Sequence, residues 1–468
     1  MSTAPPQFDA ITEREKGLQR GLSTDQLSMI AIGGAIGTGL FLGSGLAIGF
    51  AGPSALGSYL IGALIAFLLM GCLAEMTVAH PTPGSFGAWA EFYIHPLAGF
   101  LVRYAYWACI VLAVGTEVTA IALYMRFWYP NMPGWVWIAG FSLALIAVNA
   151  RHVRLFGSIE YCLSALKIFA IVAFLLLGGW MVFSSAHGSG IGFQNYVSHG
   201  GFFPKGVGGM WTAVIVALFS YFSIEMIAVA AGEARDPRRA ITRAFRATFV
   251  RLSLFYLLTL ALIVAIVPWD APPSAQGPFV GVMQRMHIPA AAGIVNLVLL
   301  IAALSAMNSQ LYITARMMFS LSRAGHAPRR LGVLNAHGVP AAALLVSTFG
   351  IALAAILNAL YPDRAFELMM SIAIFGAMFT WFMIFITHLF FRRRHVASTL
   401  AFRMWGFPYT TLAGAALILA ALITTLFTPG FRLTVLCGVP FIAALTAVFF
   451  LRVRRAPTPA TIPERVLP

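Results

Sequence analysis

Apolar residues run through this chain in blocks of about twenty, separated by short polar stretches. A block of that length crosses the hydrocarbon core of a bilayer as a helix. The pattern predicts twelve spans, at 28–48, 54–74, 97–125, 133–150, 156–183, 207–231, 246–268, 289–318, 339–360, 366–390, 406–428 and 432–452. The polar stretches predict a tight outer turn at Ala51-Gly52-Pro53, an irregular Gly-, Ser- and His-rich outer loop at 184–206, and a proline-rich tail after Arg455. One shorter segment, Ser85 to Tyr93, has an amphipathic pattern and predicts a helix lying at the cytoplasmic interface.

Two blocks are irregular inside. The first holds Gly33-Gly34-Ala35-Ile36-Gly37-Thr38-Gly39, and each glycine costs about 1 kcal/mol against alanine in a helix interior. Its flanks are as apolar as any span, which predicts a membrane helix that breaks halfway. Unwound backbone at that depth is tolerated where protein or a polar cavity receives the freed amides and carbonyls. The competing reading is a G-x-x-x-G packing pair, Gly33 with Gly37. A dinucleotide loop is excluded, because no strand precedes these glycines and no βαβ pattern follows.

The sixth block holds Phe219-Ser220-Tyr221-Phe222-Ser223-Ile224-Glu225. Two serines, a tyrosine and an acid at mid-membrane depth are costly without partners. Breaks in the first and sixth spans predict two five-span repeats, 28–183 and 207–390, followed by two extra helices over 406–452. Five is odd, so the second repeat enters from the opposite side. Many secondary transporters have this inverted arrangement, with the site where the broken helices meet. Amides at a half-helix N-terminus attract a carboxylate, and carbonyls at a half-helix C-terminus suit an ammonium. An amino acid or similar dipolar solute satisfies both ends.

Composition supports the membrane reading: 60% of residues are hydrophobic and 10% charged, against about 25% charged in soluble domains. The net charge of +15 does not imply nucleic acid. The predicted loops put only Arg126, Lys205, Arg285, Arg364 and Arg432 on the outer side, and the remaining loop basic residues gather in alternate loops. That asymmetry predicts a cytoplasmic-membrane protein with both tails, 1–27 and 453–468, in the cytoplasm. Cys72, Cys109, Cys162 and Cys437 lack C-x-x-C spacing and are expected to pack rather than pair or bind metal. His80, His95, His152, His388 and His395 sit at loops or span ends without ligand spacing. Neither a metal nor an organic cofactor is expected, and an enzyme is disfavoured. A channel is disfavoured too, since ten spans around two broken helices give an occluding site. Asp236-Pro237 predicts a helix start, with Arg239, Arg243 and Arg246 on one face. A basic interfacial helix enforcing topology is favoured there over a gate.

The glycine-rich segment with Leu40-Phe41 resembles the first-helix signature of the amino acid–polyamine–organocation superfamily. Within it, the chain is similar to the bacterial permeases for aromatic amino acids, proline, lysine and GABA. Arg20-Gly21-Leu22, Ala51-Gly52-Pro53, Ala230-Ala231-Gly232-Glu233 with Asp236-Pro237, Ala303 to Ser309, and Gly325-His326-Ala327-Pro328 follow in the same order. The resemblance implies a leucine-transporter-type fold, in keeping with five plus five plus two helices.

It further implies that a substrate binds along Ala35, Ile36, Gly37, Thr38 and Gly39. Its carboxylate would meet amides around Thr38 and Gly39, helped by the Thr38 hydroxyl. Its ammonium would meet carbonyls near Ala35, Phe219 and Phe222, while Glu225 would hold the unwound segment or a gate. Phe222 stands where many relatives carry a small residue, which implies a smaller pocket disfavouring bulky aromatic substrates. Lys167 lies about eleven residues from the span boundary, too deep for easy snorkelling. In proton-coupled members a fifth-helix lysine occupies the place of sodium, so Lys167 is expected to carry the coupled proton. The alternative is a structural ammonium on first-helix carbonyls. Glu117 either relays protons or pairs structurally, with Gly33, Ser305, Asn308 and Ser309 in support. The expected function is proton-coupled import of a neutral, small to medium amino acid. The alternative is an exchanger without proton coupling.

Overall fold

The computed structural model describes residues 8–15, 23–151, 153–185, 190–233, 237–272, 274, 276–285, 291–395 and 402–453. Among them every regular element is a helix. In order these are α1 (Phe8–Arg14), α2 (Thr24–Ala35), α3 (Thr38–Phe41), α4 (Gly43–Ala51), α5 (Ala55–Ala79), α6 (Ser85–Tyr93), α7 (Pro96–Met125), α8 (Gly134–Asn149), α9 (Val153–Ser184) and α10 (Gly206–Tyr221). Then follow α11 (Met226–Ala230), α12 (Pro237–Ile266), α13 (Pro278–Arg285), α14 (Ala291–Arg323), α15 (Ala341–Val346), α16 (Phe349–Leu360), α17 (Ala365–Arg394), α18 (Tyr409–Phe427) and α19 (Arg432–Val448).

Ten helical stretches among the described residues are long and apolar enough to cross a membrane, and Ile32–Phe41 and Gly134–Asn149 are apolar but shorter. One of the ten, Gly43–Ala79, contains the expected turn: Gly52 has φ 62°. A side chain is excluded there twice over, by the backbone angle and by the Pro204 ring that a Cβ would strike. Large apolar side chains point outward along the spans, among them Leu143, Phe169, Leu176, Trp180 and Phe427. On helices of this length such a surface is a lipid-facing one. Cys72 and Cys109 are buried as expected, whereas Cys162 and Cys437 lie on that outer surface and pack against nothing inside. Residues 16–22, with Arg20-Gly21-Leu22, lie outside the described residues, as do His152, Asp236, the side chains of Arg239, Arg243 and Arg246, and the tail from residue 454.

Part of the expected N-terminal tail is built into the bundle. Glu15, just after α1, is fully buried and accepts hydrogen bonds from the Thr82 hydroxyl (2.7 Å), the Gly84 amide (2.7 Å), the Ser320 hydroxyl (2.7 Å) and Arg103 (3.4 Å). Arg14 grips Glu91 through both guanidinium nitrogens, and Arg103 reaches Glu91 from α7 at 2.7 Å. The Phe8 ring stacks on His80 with centroids 4.2 Å apart. The same cover encloses α6: Phe86, Trp89 and Tyr93 are buried by protein, because α1, α7 and α17 close over the helix.

Burial alone would raise the Glu91 pKa, but Arg103 and Arg14 hold it at about 2. The folded value is depressed, so this contribution to stability is present above the ordinary carboxylate range and is lost only as pH falls towards 2. Glu15→Ala should cost about 3 kcal/mol, because it strips a buried guanidinium and three neutral donors of an acceptor. Thermal unfolding in detergent at neutral pH checks this; an unchanged midpoint would show that the docked segment contributes nothing.

Candidate functional site

The first apolar block unwinds where its glycines predict. Ser23 opens α2 with a reciprocal cap, its hydroxyl accepting from the Gln26 amide while the Gln26 side chain accepts from the Ser23 amide. The helix then ends at Ala35, Ile36 and Gly37 are non-helical, and α3 restarts at Thr38. Four of the freed backbone groups have side-chain partners. The Lys167 ammonium, fully buried on α9, donates to the carbonyls of Gly33 (2.6 Å) and Ile36 (2.9 Å). The Tyr256 hydroxyl donates to the Ala35 carbonyl at 2.8 Å. On the far side of the break, the Glu117 carboxylate accepts from the Thr38 hydroxyl (3.1 Å) and the Thr38 amide (3.4 Å).

The second break follows α10. Phe222 turns extended, Ser223 takes φ 80°, and helix resumes at Met226. A left-handed serine is strained, and Glu225 holds it. One carboxylate oxygen accepts from the Ser223 amide (3.1 Å) and the Tyr106 hydroxyl (2.7 Å), and the other accepts from the Trp381 indole (3.0 Å). Two hydroxyls sew the breaks together. The Tyr256 hydroxyl also lies 2.9 Å from the Ser220 carbonyl, sharing its one proton between Ala35 and Ser220, and the Ser220 hydroxyl donates to the Gly39 carbonyl at 2.7 Å. Gly39 must stay glycine at this crossing, since a Cβ would sit 2.8 Å from the Ser220 Cα, a backbone atom that cannot turn aside.

A small cavity lies between the breaks. Gly34, Ala35, Gly37 and Gly39 line it from the first, Phe219, Phe222 and Ser223 from the second, and Cys109, Ile110, Ala113, Glu117, Gln310 and Ala373 complete it. Of the expected binding residues, Ile36, Thr38 and Glu225 stand behind this lining rather than in it. Phe222 is a wall: its ring meets Trp381 edge-on at 4.9 Å. The glycine pair does not form a packing seam. A Cβ on Gly33 would strike Glu160 and Ser164 of α9, whereas one on Gly37 would meet Glu117 of α7 and Ala306 of α14. The two glycines face different helices, so a single partner helix does not explain their spacing.

Sequence reasoning passed over Glu160 and Tyr256. Glu160 is fully buried on α9 and accepts from Ser305 in a short contact, from the Asn308 amide (2.9 Å) and from Ser164 (3.1 Å). The support expected from Ser305 and Asn308 thus reaches the lysine's helix through this acid. The Ser309 hydroxyl is buried without a hydrogen-bond partner. The available signal was spacing: Glu160 precedes Lys167 by seven residues, two turns on one helix face.

Two interrupted helices that cross mid-bundle and line one cavity are the architecture of a membrane carrier. The chain matches the amino acid permease family model over residues 26–458. It is 36% identical over 443 residues to the uncharacterized amino acid permease YtnA of Bacillus subtilis (strain 168), covering 94% of this chain and 96% of that one. It is 36% identical over 420 residues to the aromatic amino acid transport protein AroP of Escherichia coli (strain K12), covering 89% and 92%. With the gamma-aminobutyric acid permease of Bacillus subtilis (strain 168) the identity is 35% over 426 residues, covering 90% and 91%. The chain belongs to the amino acid permease family and is a multi-pass membrane transporter, not an enzyme.

Proposed function

We propose that this permease imports a neutral amino acid of small to medium size by proton symport with alternating access. It uses no cofactor beyond the coupling proton. Twelve spans, arranged as inverted repeats over 28–183 and 207–390 with two further helices over 406–452, cross the cytoplasmic membrane with both termini inside. The observation that carries the reading is the Lys167 ammonium, seated on the Gly33 and Ile36 carbonyls at the break itself. Those two carbonyls hold the ammonium in place, so movement of α2 away from α9 would remove both acceptors and discharge it.

The lining supports a neutral solute with one carboxylate. Among the described residues its ionisable side chains are Glu117 and the Cys109 thiol, with no cation there for a second carboxylate. The Thr38 amide and hydroxyl lie behind Glu117, which lines the cavity and now holds them, and become donors to an incoming carboxylate when Glu117 turns aside. The carbonyls at Ala35, Phe219 and Phe222 receive its ammonium.

Uptake of labelled amino acids into proteoliposomes, with the lumen made alkaline, tests this. Accumulation of small neutral amino acids should follow the pH gradient. Uptake only into liposomes preloaded with amino acid would establish exchange instead. Phe222→Gly should open the wall against Trp381 and improve competition by Phe or Trp about tenfold. A wild type that already prefers tryptophan would refute the size argument.

A further inference from the structure

The symport reading leaves open where the Lys167 proton goes, and we propose that it passes to Glu160 on its way to the cytoplasm. The two groups hold the same residue of the broken helix from two sides. Lys167 bonds the Gly33 carbonyl, while the Glu160 carboxylate fills the space that a Cβ on Gly33 would need. Seven residues separate them on α9, about 10 Å along the axis, with Glu160 nearer the end that the proposed topology places in the cytoplasm.

Glu160 is held as a carboxylate, the form that has a site free to take a proton once its donors are loosened. Ser305, Asn308 and Ser164 all donate to it. The Asn308 amide cannot turn its oxygen towards the acid, because that oxygen is taken by Asn149 Nδ2 from α8 at 2.8 Å. Three neutral donors stabilise a carboxylate without neutralising it. The charged groups in reach are few. Lys167 acts on Glu160, and Glu160 and Glu117 act on Lys167. From the packed elements, α14 presents Ser305 and Asn308, α8 presents Asn149, α12 presents Tyr256 to the same break, and α2 presents the Gly33 backbone.

One motion frees both groups. The Ser164 hydroxyl, with one proton to share, also lies 3.1 Å from the Met29 carbonyl, so α2 rests on Lys167, Ser164 and Glu160 together. When α2 leaves, the ammonium loses two acceptors and Glu160 loses its cover. The lysine N–H bond breaks, a carboxyl O–H bond forms through the water admitted, and two separate opposite charges become two neutral groups. No charge is stranded in the low-dielectric interior by that step. The carboxyl then ionises to cytoplasmic water, and Lys167 takes its next proton from the outer side.

The test uses full-length protein in proteoliposomes. Glu160→Gln keeps the shape and should retain substrate counterflow within about threefold while losing at least tenfold of pH-gradient-driven accumulation. Wild-type accumulation by Glu160→Gln, with accumulation lost in Lys167→Ala, overturns the role of Glu160 and leaves the symport reading intact. Accumulation by Lys167→Ala overturns the symport reading itself. Loss of counterflow together with accumulation in folded Glu160→Gln marks a structural residue and also overturns the proposal. Should Glu160→Gln not fold, Glu160→Asp decides the matter. The pH giving half-maximal accumulation should move by about half a unit, as the intrinsic acidities of the two side chains differ, and an unmoved midpoint overturns the proposal.

Discussion

Lys167→Ala should reduce accumulation driven by a pH gradient at least a hundredfold, to the level of empty liposomes. The substitution removes the titrating group, and it also leaves the Gly33 and Ile36 carbonyls without their donor. An unpaired buried polar group costs about 1–3 kcal/mol, so some loosening of the break accompanies the loss of coupling. Lys167→Arg separates the two effects. Arginine restores a donor to the carbonyls but does not release its proton in a protein. It should therefore regain part of the thermal stability lost in Lys167→Ala while remaining unable to accumulate substrate. Counterflow, which needs binding and reorientation but no net proton movement, should survive best in Lys167→Ala. Accumulation by Lys167→Ala under a proton gradient alone would make the lysine structural, and Glu117, on the other side of the break, the next candidate.

The parts of this site legible in the sequence were those written in backbone chemistry. Glycines at 33, 34, 37 and 39 are poor helix residues in an apolar block, and the structure unwinds there. Ser220, Ser223 and Glu225 in a span demanded partners, and the second break lies among them. Lys167 was legible because depth alone forced it to find acceptors. Glu160 was not, because a carboxylate near the end of a span can reach water. What buries it is Gly33, which leaves room, and Ser305 and Asn308, which arrive from α14, 145 and 148 residues away. Tyr256 looked like one more aromatic in a span, and only the fold shows its hydroxyl joining Ala35 to Ser220. The N-terminal segment misled for a related reason. Its polarity is that of a tail, but Arg103 and Glu91 supply buried charges that match Arg14 and Glu15. Polar residues meeting polar residues leave no hydrophobic period to read.

Gly37→Val should abolish uptake while leaving the amount of protein in the membrane near the wild-type level. The backbone angles of Gly37, φ −136° and ψ −152°, are open to any residue, so strain is not the reason. Space is. A Cβ would lie 2.8 Å from a Glu117 oxygen and 2.9 Å from the Ala306 Cβ. The alanine methyl has no rotamer to retreat into, so Glu117 must move, and with it the acceptor that holds the Thr38 amide and hydroxyl. The valine methyls would occupy the cavity wall that Gly37 forms with Gly34 and Gly39. Overpacking of this kind costs about 1–3 kcal/mol. That is tolerable for a bundle of this size, but it falls wholly on the Glu117–Thr38 link, which the proposed function assigns to substrate binding. The control lies on the same span: nothing stands within 4 Å of a Cβ at Gly49, and Gly49→Ala should be neutral or slightly stabilising. Labelled-substrate binding to the two purified variants, set beside their expression levels, gives the comparison. Loss in Gly37→Val with retention in Gly49→Ala identifies the break as the binding segment. Wild-type affinity in Gly37→Val would return these glycines to a packing role and move the substrate site elsewhere in the bundle.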